Sequence, residues 1–414
     1  MSEDFDVVIV GGGITGSAMG IVLARSGVRV KVLERDRIYQ DRVRGEFMAS
    51  WGVKELQRLG LADILTEAGG IFVDHFIPYD ENIPAEMAEK FAFEIPTLGP
   101  DIPATLCMGH PAMCEALNQA AMAAGAEVVR GVKSIKIQSG GKPSVSYKLD
   151  DEEYTLQPKL LIGADGRNSV VQRQLNFEMQ NDPPHNLLGG MLVEGKTSWP
   201  QNAFTAGTEG NIHFLIFPQG KDRLRLYLCS DFDDRARFTG PDREKNLLEA
   251  FRLKCLPMGE EIAQCKPISA FHSYSNEDHW TDNPTMPGIV LIGDAAGHYD
   301  PITGQGLSIG LRDVRIVSDI LAQNNWNPDD WNQTSFAPYV EERQERMRRL
   351  RVTGRYITRL RAEFGEEARQ RRARASHRTN VEGFPSPSAS ALIGPEALPA
   401  ENYEQSIVDA LFAP

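Results

Sequence analysis

Gly11, Gly13 and Gly16 stand in a GxGxxG spacing, and a carboxylate, Glu34, follows about 20 residues on. Glycines at these intervals let the main chain turn tightly and approach a pyrophosphate, whose charge then rests on the N–H groups at a helix start. Ile14 and Thr15, between the second and third glycines, belong to the same candidate binding loop. Glu34, with Arg35 beside it, stands where a carboxylate accepts from ribose hydroxyls. That carboxylate would repel a 2′-phosphate, so the dinucleotide expected is FAD or NAD(H), not NADP(H).

A second stretch, GIVLIGDAAGHYDPITGQGLSIGLRDV at 288–314, brings an apolar run to Gly293 and Asp294. A Pro-containing loop follows, and Gly304, Gln305 and Gly306 open an amphipathic helix with Leu307, Leu311, Val314, Val317 and Leu321 on one face. N–H groups at such a helix start stabilise negative charge, of the kind a reduced flavin carries near N1. A third stretch, Ile162-Gly163-Ala164-Asp165-Gly166-Arg167, is an apolar strand running into an Asp-Gly turn.

Taken in order, these stretches resemble the three fingerprints of the para-hydroxybenzoate hydroxylase superfamily, the single-component flavoprotein monooxygenases, over about residues 1–350. The resemblance implies that Asp294 binds the ribityl chain of FAD. It also implies that the helix start, with Gly304, Gly306 and Leu307, faces the flavin N1–C2=O edge. The turn at Asp165 and Gly166 is linked in the family to both FAD and the reduced pyridine nucleotide. Arg167 and Ser169 match that fingerprint, while Arg173 stands slightly later than the usual arginine. YVEERQER at 339–346 is similar to the helix that follows the last fingerprint. Arg44 occupies the place of a family arginine near the flavin or the pyrophosphate, with a surface arginine as the other interpretation. His110 stands where relatives place an arginine or glutamine against FAD, and a buried helix-start histidine explains it equally.

The family chemistry implied is non-covalent FAD, reduced by NADPH or NADH that visits and leaves. Oxygen then adds at C4a, and the flavin hydroperoxide hydroxylates an aromatic or other electron-rich small molecule. Arg44, Asp300 and Pro301 are the candidate catalytic residues. Asp300, after His298 and Tyr299, serves as acid/base or substrate partner, or else caps the turn before Pro301. His213, Phe214, Phe217 and Tyr227 are candidates for the substrate cavity, with alternate residues of a strand facing opposite ways. No metal is required. No second strand–GxGxxG–helix unit appears, so the nicotinamide cofactor has no nucleotide domain of its own, and no redox-active cysteine pair suggests a disulfide reductase. Three alternatives stand beside this: a prenyl-reductase-type flavoprotein, a flavin-dependent halogenase and a non-catalytic FAD-binding scaffold. Against the halogenase, WxWxIP is absent and no lysine sits in a comparable run.

The elements that must position these groups read as mixed α/β. The expected architecture is a GR2-type, Rossmann-like FAD-binding domain with a parallel sheet, formed by 1–70, 104–180 and 275–350. An antiparallel-sheet substrate domain is expected from 71–103 and 181–274, and a C-terminal helix and tail from 351–414. Strand, helix and strand follow one another over 6–34, helical patterns over 51–59, 62–68 and 111–124, and strands over 71–96. Residues 127–137 and 144–149 read as a hairpin, and the alternation over 186–272 as an antiparallel sheet with one wet face. The arginine-rich stretch 343–378 is interspersed with glutamates and reads as a solvated helix or dimer surface. From Thr379 the Pro/Ser-rich chain reads as extended, or ordered by docking.

Hydrophobic residues at 41% and charged residues at 24% leave no doubt that a sizeable core is buried. A net charge of −13 argues against nucleic-acid binding. The five cysteines include no CxxC pair, which suggests buried small hydrophobes in a reducing compartment. An acidic start without a basic n-region, and no apolar run of about 18 residues, point to the cytoplasm with no membrane segment; a monomer or homodimer is expected. Its partners are small-molecule substrate, O2 and NAD(P)H.

Overall fold

The computed structural model describes residues 5–413, apart from 44, 141, 185, 324 and 328–330. The fold is mixed α/β. Its central sheet runs in the order Thr285–Met286, Ile289–Leu291, Leu160–Gly163, Val7–Val10, Val30–Glu34, Glu127–Arg130. All neighbours in it are parallel except the first pair. Its strands are almost continuous runs of Val, Ile and Leu with both faces covered, as a parallel sheet requires. Alternation divides the labour. Val7 and Ile9 pack with Leu160 and Ile162 under the helices Ile14–Arg25, His110–Ala123 and Gly306–Gln323. Val8, Val10 and Leu161 face a three-stranded layer on the other side.

That layer corrects the expected hairpin. Glu127–Arg130 leaves it to become the edge strand of the parallel sheet, and Val132–Gln138 pairs with Ser144–Leu149, which pairs in turn with Glu152–Leu156. Gly131, at φ +87°, makes the break between the two strands.

A second sheet is built from Leu187–Glu194, Arg223–Ser230, Ile212–Pro218 and Ala203–Glu209, all antiparallel. His75–Phe76 and Phe93–Glu94 extend it. Between these two short strands lies a helix, Ala85–Lys90, where strands alone were expected. One face of the sheet, with Ile212, Phe214 and Ile216, packs over Leu247, Phe251 and Ile262. The other face looks toward the parallel-sheet half.

The C-terminal region departs most from expectation. Helix Ala337–Arg361 is followed by Glu366–Asn380, Ala389–Ile393 and Gln405–Phe412, so the tail is largely helical and docked. Several arginines are buried or half-buried struts, while Arg355 and Arg369 keep the solvated face expected. Arg343 and Arg346 reach Asp313, Arg372 reaches Glu81, and Arg361 reaches Asp80. No described helix is long and apolar enough to cross a membrane.

Candidate active site

A cavity of about 660 Å³ lies between the two sheets. On its parallel-sheet side, strand Val7–Val10 ends at the glycine loop. Gly11 adopts φ +103°, and a side chain there would meet the carbonyl oxygen of Ala164 at 2.4 Å. A side chain on Gly16 would meet the carbonyl oxygen of Gly11 at 1.9 Å. These two glycines therefore close the loop internally. Gly13 differs: a Cβ there meets no protein atom within 4 Å and points into open space. Gly13, Ile14 and Thr15 all line the cavity. The Thr15 side chain is wedged between two other glycines, since a Cβ on Gly310 would come within 2.3 Å of its Oγ1 and one on Gly293 within 3.0 Å. This contact locks the start of the first helix against the Gly293 turn.

Glu34 is buried outside the cavity wall. Its Oε2 accepts from Gly12 N at 2.6 Å and its Oε1 from Asp36 N at 2.7 Å. Burial raises its pKa despite both bonds. The carboxylate braces the glycine loop, and Arg35 reaches the cavity beside it. Arg44 lies outside the described residues. Its neighbourhood is clamped to the second sheet: Arg225 pairs with Asp41 at 2.6 Å and with the buried Glu46 at 3.5 Å, and the Tyr227 hydroxyl donates to Glu46.

Helix starts converge on the space in front of Gly13. His110 opens helix His110–Ala123, contacts Cys114 Sγ from 3.6 Å, and lines the cavity. Gly304, at φ +65°, ends the turn from Pro301, and Gly306 and Leu307 begin the next helix. All three face the cavity, as do Asp294, Asp165 and Gly166. The Asp165 carboxylate, however, is spent locally. It accepts from Ser169 Oγ at 2.5 Å and Val170 N at 2.6 Å, capping helix Val170–Gln174, and burial raises its pKa. Arg167 takes the outward role: its guanidinium stands 3.7 Å from Asp294, and its buried Nε has no hydrogen-bond partner.

Of the polar trio before Pro301, His298 turns away and stacks on His279. Tyr299 donates to the Leu350 carbonyl, pinning the loop to helix Ala337–Arg361. Asp300 caps the turn and also reaches the cavity. Its Oδ1 accepts from Ile302 N at 2.9 Å as a cap, and its side chain also lines the cavity beside Pro301. Burial pushes its pKa up to about 7, with Asp278 adding to the rise and Arg167 opposing it.

The second sheet supplies an apolar wall. His213, Leu215 and Phe217 face the cavity together with Phe204 and Tyr227. Phe214 does not, because strand alternation turns it into the opposite core. Phe47 stacks on Phe217 at 4.6 Å and Phe204 leans on both. His213 is buried, which pushes its pKa down to about 3 and keeps it neutral.

A family model described as FAD binding domain matches residues 4–352. The chain belongs to the FAD binding domain family. Its cofactor is therefore FAD, as the resemblance to the class A flavoprotein hydroxylases implied, and the residues present fit it. Gly13 leaves room for a pyrophosphate, helix starts offer N–H groups to it, and Arg167 Nε, ion-paired with Asp294 but without a hydrogen-bond partner, offers a donor. Among curated relatives, squalene epoxidase 3 of Arabidopsis thaliana is 24% identical over 344 residues, covering 82% of this chain and 63% of that protein. The chain thus spans less than two thirds of that relative's length. Among solved structures, the flavin-dependent brominase Bmp2 has a TM-score of 0.76 at 17% identity, covering 99% of this chain and 97% of that one. p-Nitrophenol 4-monooxygenase PnpA from Pseudomonas putida DLL-E4 also scores 0.76 at 17% identity, covering 92% and 95%. Both likenesses are of fold.

Sequence reasoning missed the support beneath Asp294. Asp313 Oδ2 accepts from Gly293 N at 2.8 Å, and Asp313 is itself held by Arg343 and Arg346. The signal was available: Tyr339, Arg343, Arg346 and Leu350 fall at spacings of one helix face, so two arginines sit at core positions.

If Asp294 holds a ribityl hydroxyl, Asp294→Ala weakens FAD binding by about 1.5–3 kcal/mol, roughly 10- to 150-fold in Kd, while Asp294→Asn loses less. Titrating the apoprotein with FAD beside a thermal melt checks this. Intact affinity in a destabilised Asp294→Ala protein would assign the residue to turn structure alone.

Proposed function

We propose that this chain is an FAD-dependent, NAD(P)H-consuming monooxygenase that hydroxylates an apolar aromatic or other electron-rich small molecule. The observation that carries this is the continuity of one cavity: the dinucleotide cradle opens directly onto a chamber walled by Phe47, Phe204, Leu215, Phe217 and Tyr227. FAD, when bound, supplies acceptance of a hydride from the nicotinamide and the reaction with oxygen. The protein's residues do the rest. The N–H groups at the helix start of Gly306 would stabilise negative charge on the bound flavin. The aromatic wall excludes water and packs the substrate ring. Asp300 accepts a hydrogen bond, and then the proton, from a substrate O–H or N–H at its carboxylate. Arg35 and His110, which line the cavity, would hold the cofactor's polar half. Arg44 is proposed for the flavin side by resemblance.

A carboxyl that titrates near 7 suits such a base at neutral pH. The accepting form is the carboxylate, which accumulates as pH rises through about 7. The turnover rate is therefore expected to climb across that range. Asp278, Arg167, Cys229 and Tyr299 are the charged or titratable groups around Asp300. Asp300→Asn keeps an oxygen for the Ile302 cap. It should lower turnover by roughly 10²–10⁴-fold and flatten the rising limb. An unchanged profile in a folded, FAD-loaded Asp300→Asn protein removes the residue from the chemistry.

The test of the function is a panel of small aromatics added to holoprotein with NADPH or NADH. Stimulated nicotinamide oxidation that consumes oxygen supports it. Oxidation driven by an alkene acceptor without oxygen points to a reductase instead. Halogenation is a second possibility, favoured by the likeness to Bmp2 along almost the whole chain. No lysine lines the cavity among the described residues. Dependence of product formation on bromide or chloride would favour the halogenase.

A further inference from the structure

The family match ends at residue 352, yet the cavity does not. Ile357 and Leu360 of the long C-terminal helix face into it, and so do Ser388, Ala389, Ala391 and Leu392 of the tail. One wall of the chamber therefore comes from sequence beyond the matched family region.

That wall is anchored, not draped. Gln305 Nε2 donates to the Ala391 carbonyl at 2.8 Å, while Gln305 Oε1 accepts from Trp51 Nε1 at 2.8 Å. Gln305 belongs to the loop that opens the flavin-side helix, so a single amide ties the tail to the cofactor half. Further along, Arg312 pairs with Glu396 at 2.7 Å, and Arg349 donates to the Pro395 carbonyl at 3.3 Å. Behind the wall, Ser390 Oγ meets the Tyr403 hydroxyl at 2.5 Å. Gly394 adopts φ +108° and lies so close to Trp51 that a Cβ would stand 3.1 Å from the Trp51 Cβ. A side chain there is strained twice, by backbone and by neighbour.

The composition of the wall has a consequence. Ser388, Ala389 and Ala391 are small, which leaves Leu392 as the long side chain among them. Leu392 packs on the cluster containing Phe47, Phe204, Phe217 and Tyr227, the aromatic lining of the chamber. Among the tail residues that face the cavity, Leu392 is thus the large apolar one, beside Ile357 and Leu360 of the helix.

We infer that residues 388–396 form the specificity wall of the substrate chamber, and that Leu392 sets how large a neutral ring system the chamber accepts. This rests on the aromatic-substrate function proposed above. It places substrate selection on a segment outside the matched family region, while cofactor binding stays within it.

The test uses FAD-loaded protein with phenol, 2-naphthol and 4-phenylphenol as probes, their binding followed by perturbation of flavin absorbance. Leu392→Trp should weaken 4-phenylphenol by ~10-fold or more relative to phenol, and Leu392→Ala should shift the ratio the other way. Equal effects on all three probes would overturn the assignment of Leu392. Iodide quenching of bound-flavin fluorescence decides independently of any substrate. Gly394→Val should unseat the segment and raise the quenching constant several-fold, whereas Leu392→Trp should lower it. Quenching unchanged in both FAD-loaded variants would overturn the wall. If no phenol binds any variant while quenching shifts as expected, the wall stands and the proposed aromatic substrate class fails.

Discussion

Gly13→Val should yield a folded protein that contains no FAD. The substitution is informative because its effect on the fold and its effect on the ligand separate. A Cβ at Gly13 meets nothing in the protein within 4 Å, and its backbone, at φ −70°, suits any residue. The valine methyls would instead occupy the space a pyrophosphate needs to reach the helix N–H groups. Losing two charge-assisted hydrogen bonds amounts to about 3–6 kcal/mol, roughly 10²–10⁴-fold in Kd. Gly11→Ala and Gly16→Ala serve as contrasts, since both collide with protein carbonyls and should lower the melting temperature as well. Absorbance of the purified protein and FAD titration, beside a thermal melt, check the separation. Full FAD occupancy in Gly13→Val would relocate the pyrophosphate.

Asp313→Ala should be the most damaging change away from the cavity surface. Asp313 is fully buried and holds Arg343, Arg346 and the Gly293 N–H together. Removing it leaves Arg343 its bond to the Gly293 carbonyl without a carboxylate, leaves Arg346 with Glu342 and the Ile309 carbonyl, and takes its support from the turn that presents Asp294. Breaking a buried ion pair by deleting one partner costs about 3–5 kcal/mol. A strong fall in melting temperature is expected, together with weaker FAD binding in whatever remains folded, because the same carboxylate fixes the Gly293 turn. Asp313→Asn retains an acceptor for Gly293 N and should fall between. A melt indistinguishable from wild type would mean the network is not what holds that turn.

The cofactor half was legible because its chemistry is local. Gly11 to Gly16, Glu34 and the run from Gly293 to Leu307 each announce a backbone shape through spacing alone. Side-chain roles were less legible, since several of these carboxylates do backbone work. Glu34 braces Gly12, and Asp165 caps the helix after Ser169. The cavity wall was half legible: alternation sets Phe214 on the face opposite His213 and Phe217, but nothing in the sequence said which face met the cavity or which way Tyr227, on the next strand, points. Of the tail only order by docking was legible, and neither its helices nor its anchors were. Its Pro/Ser-rich composition gives no periodicity, and its order comes from long-range anchors at Gln305, Arg312 and Trp51 that no local pattern reveals. The arginines of the helices Ala337–Arg361 and Glu366–Asn380 misled for the opposite reason, because charge density suggests solvent until the partners Asp313, Asp80 and Glu81 are placed.

The measurement that bears most directly on an oxygenase function is the fate of oxygen atoms. FAD-loaded protein, NADPH or NADH, and an aromatic that stimulates nicotinamide oxidation should be combined under isotopically heavy oxygen gas. One heavy oxygen atom per product molecule is the result expected of a monooxygenase. A product free of the label, or an acceptor reduced equally well without oxygen, would contradict it.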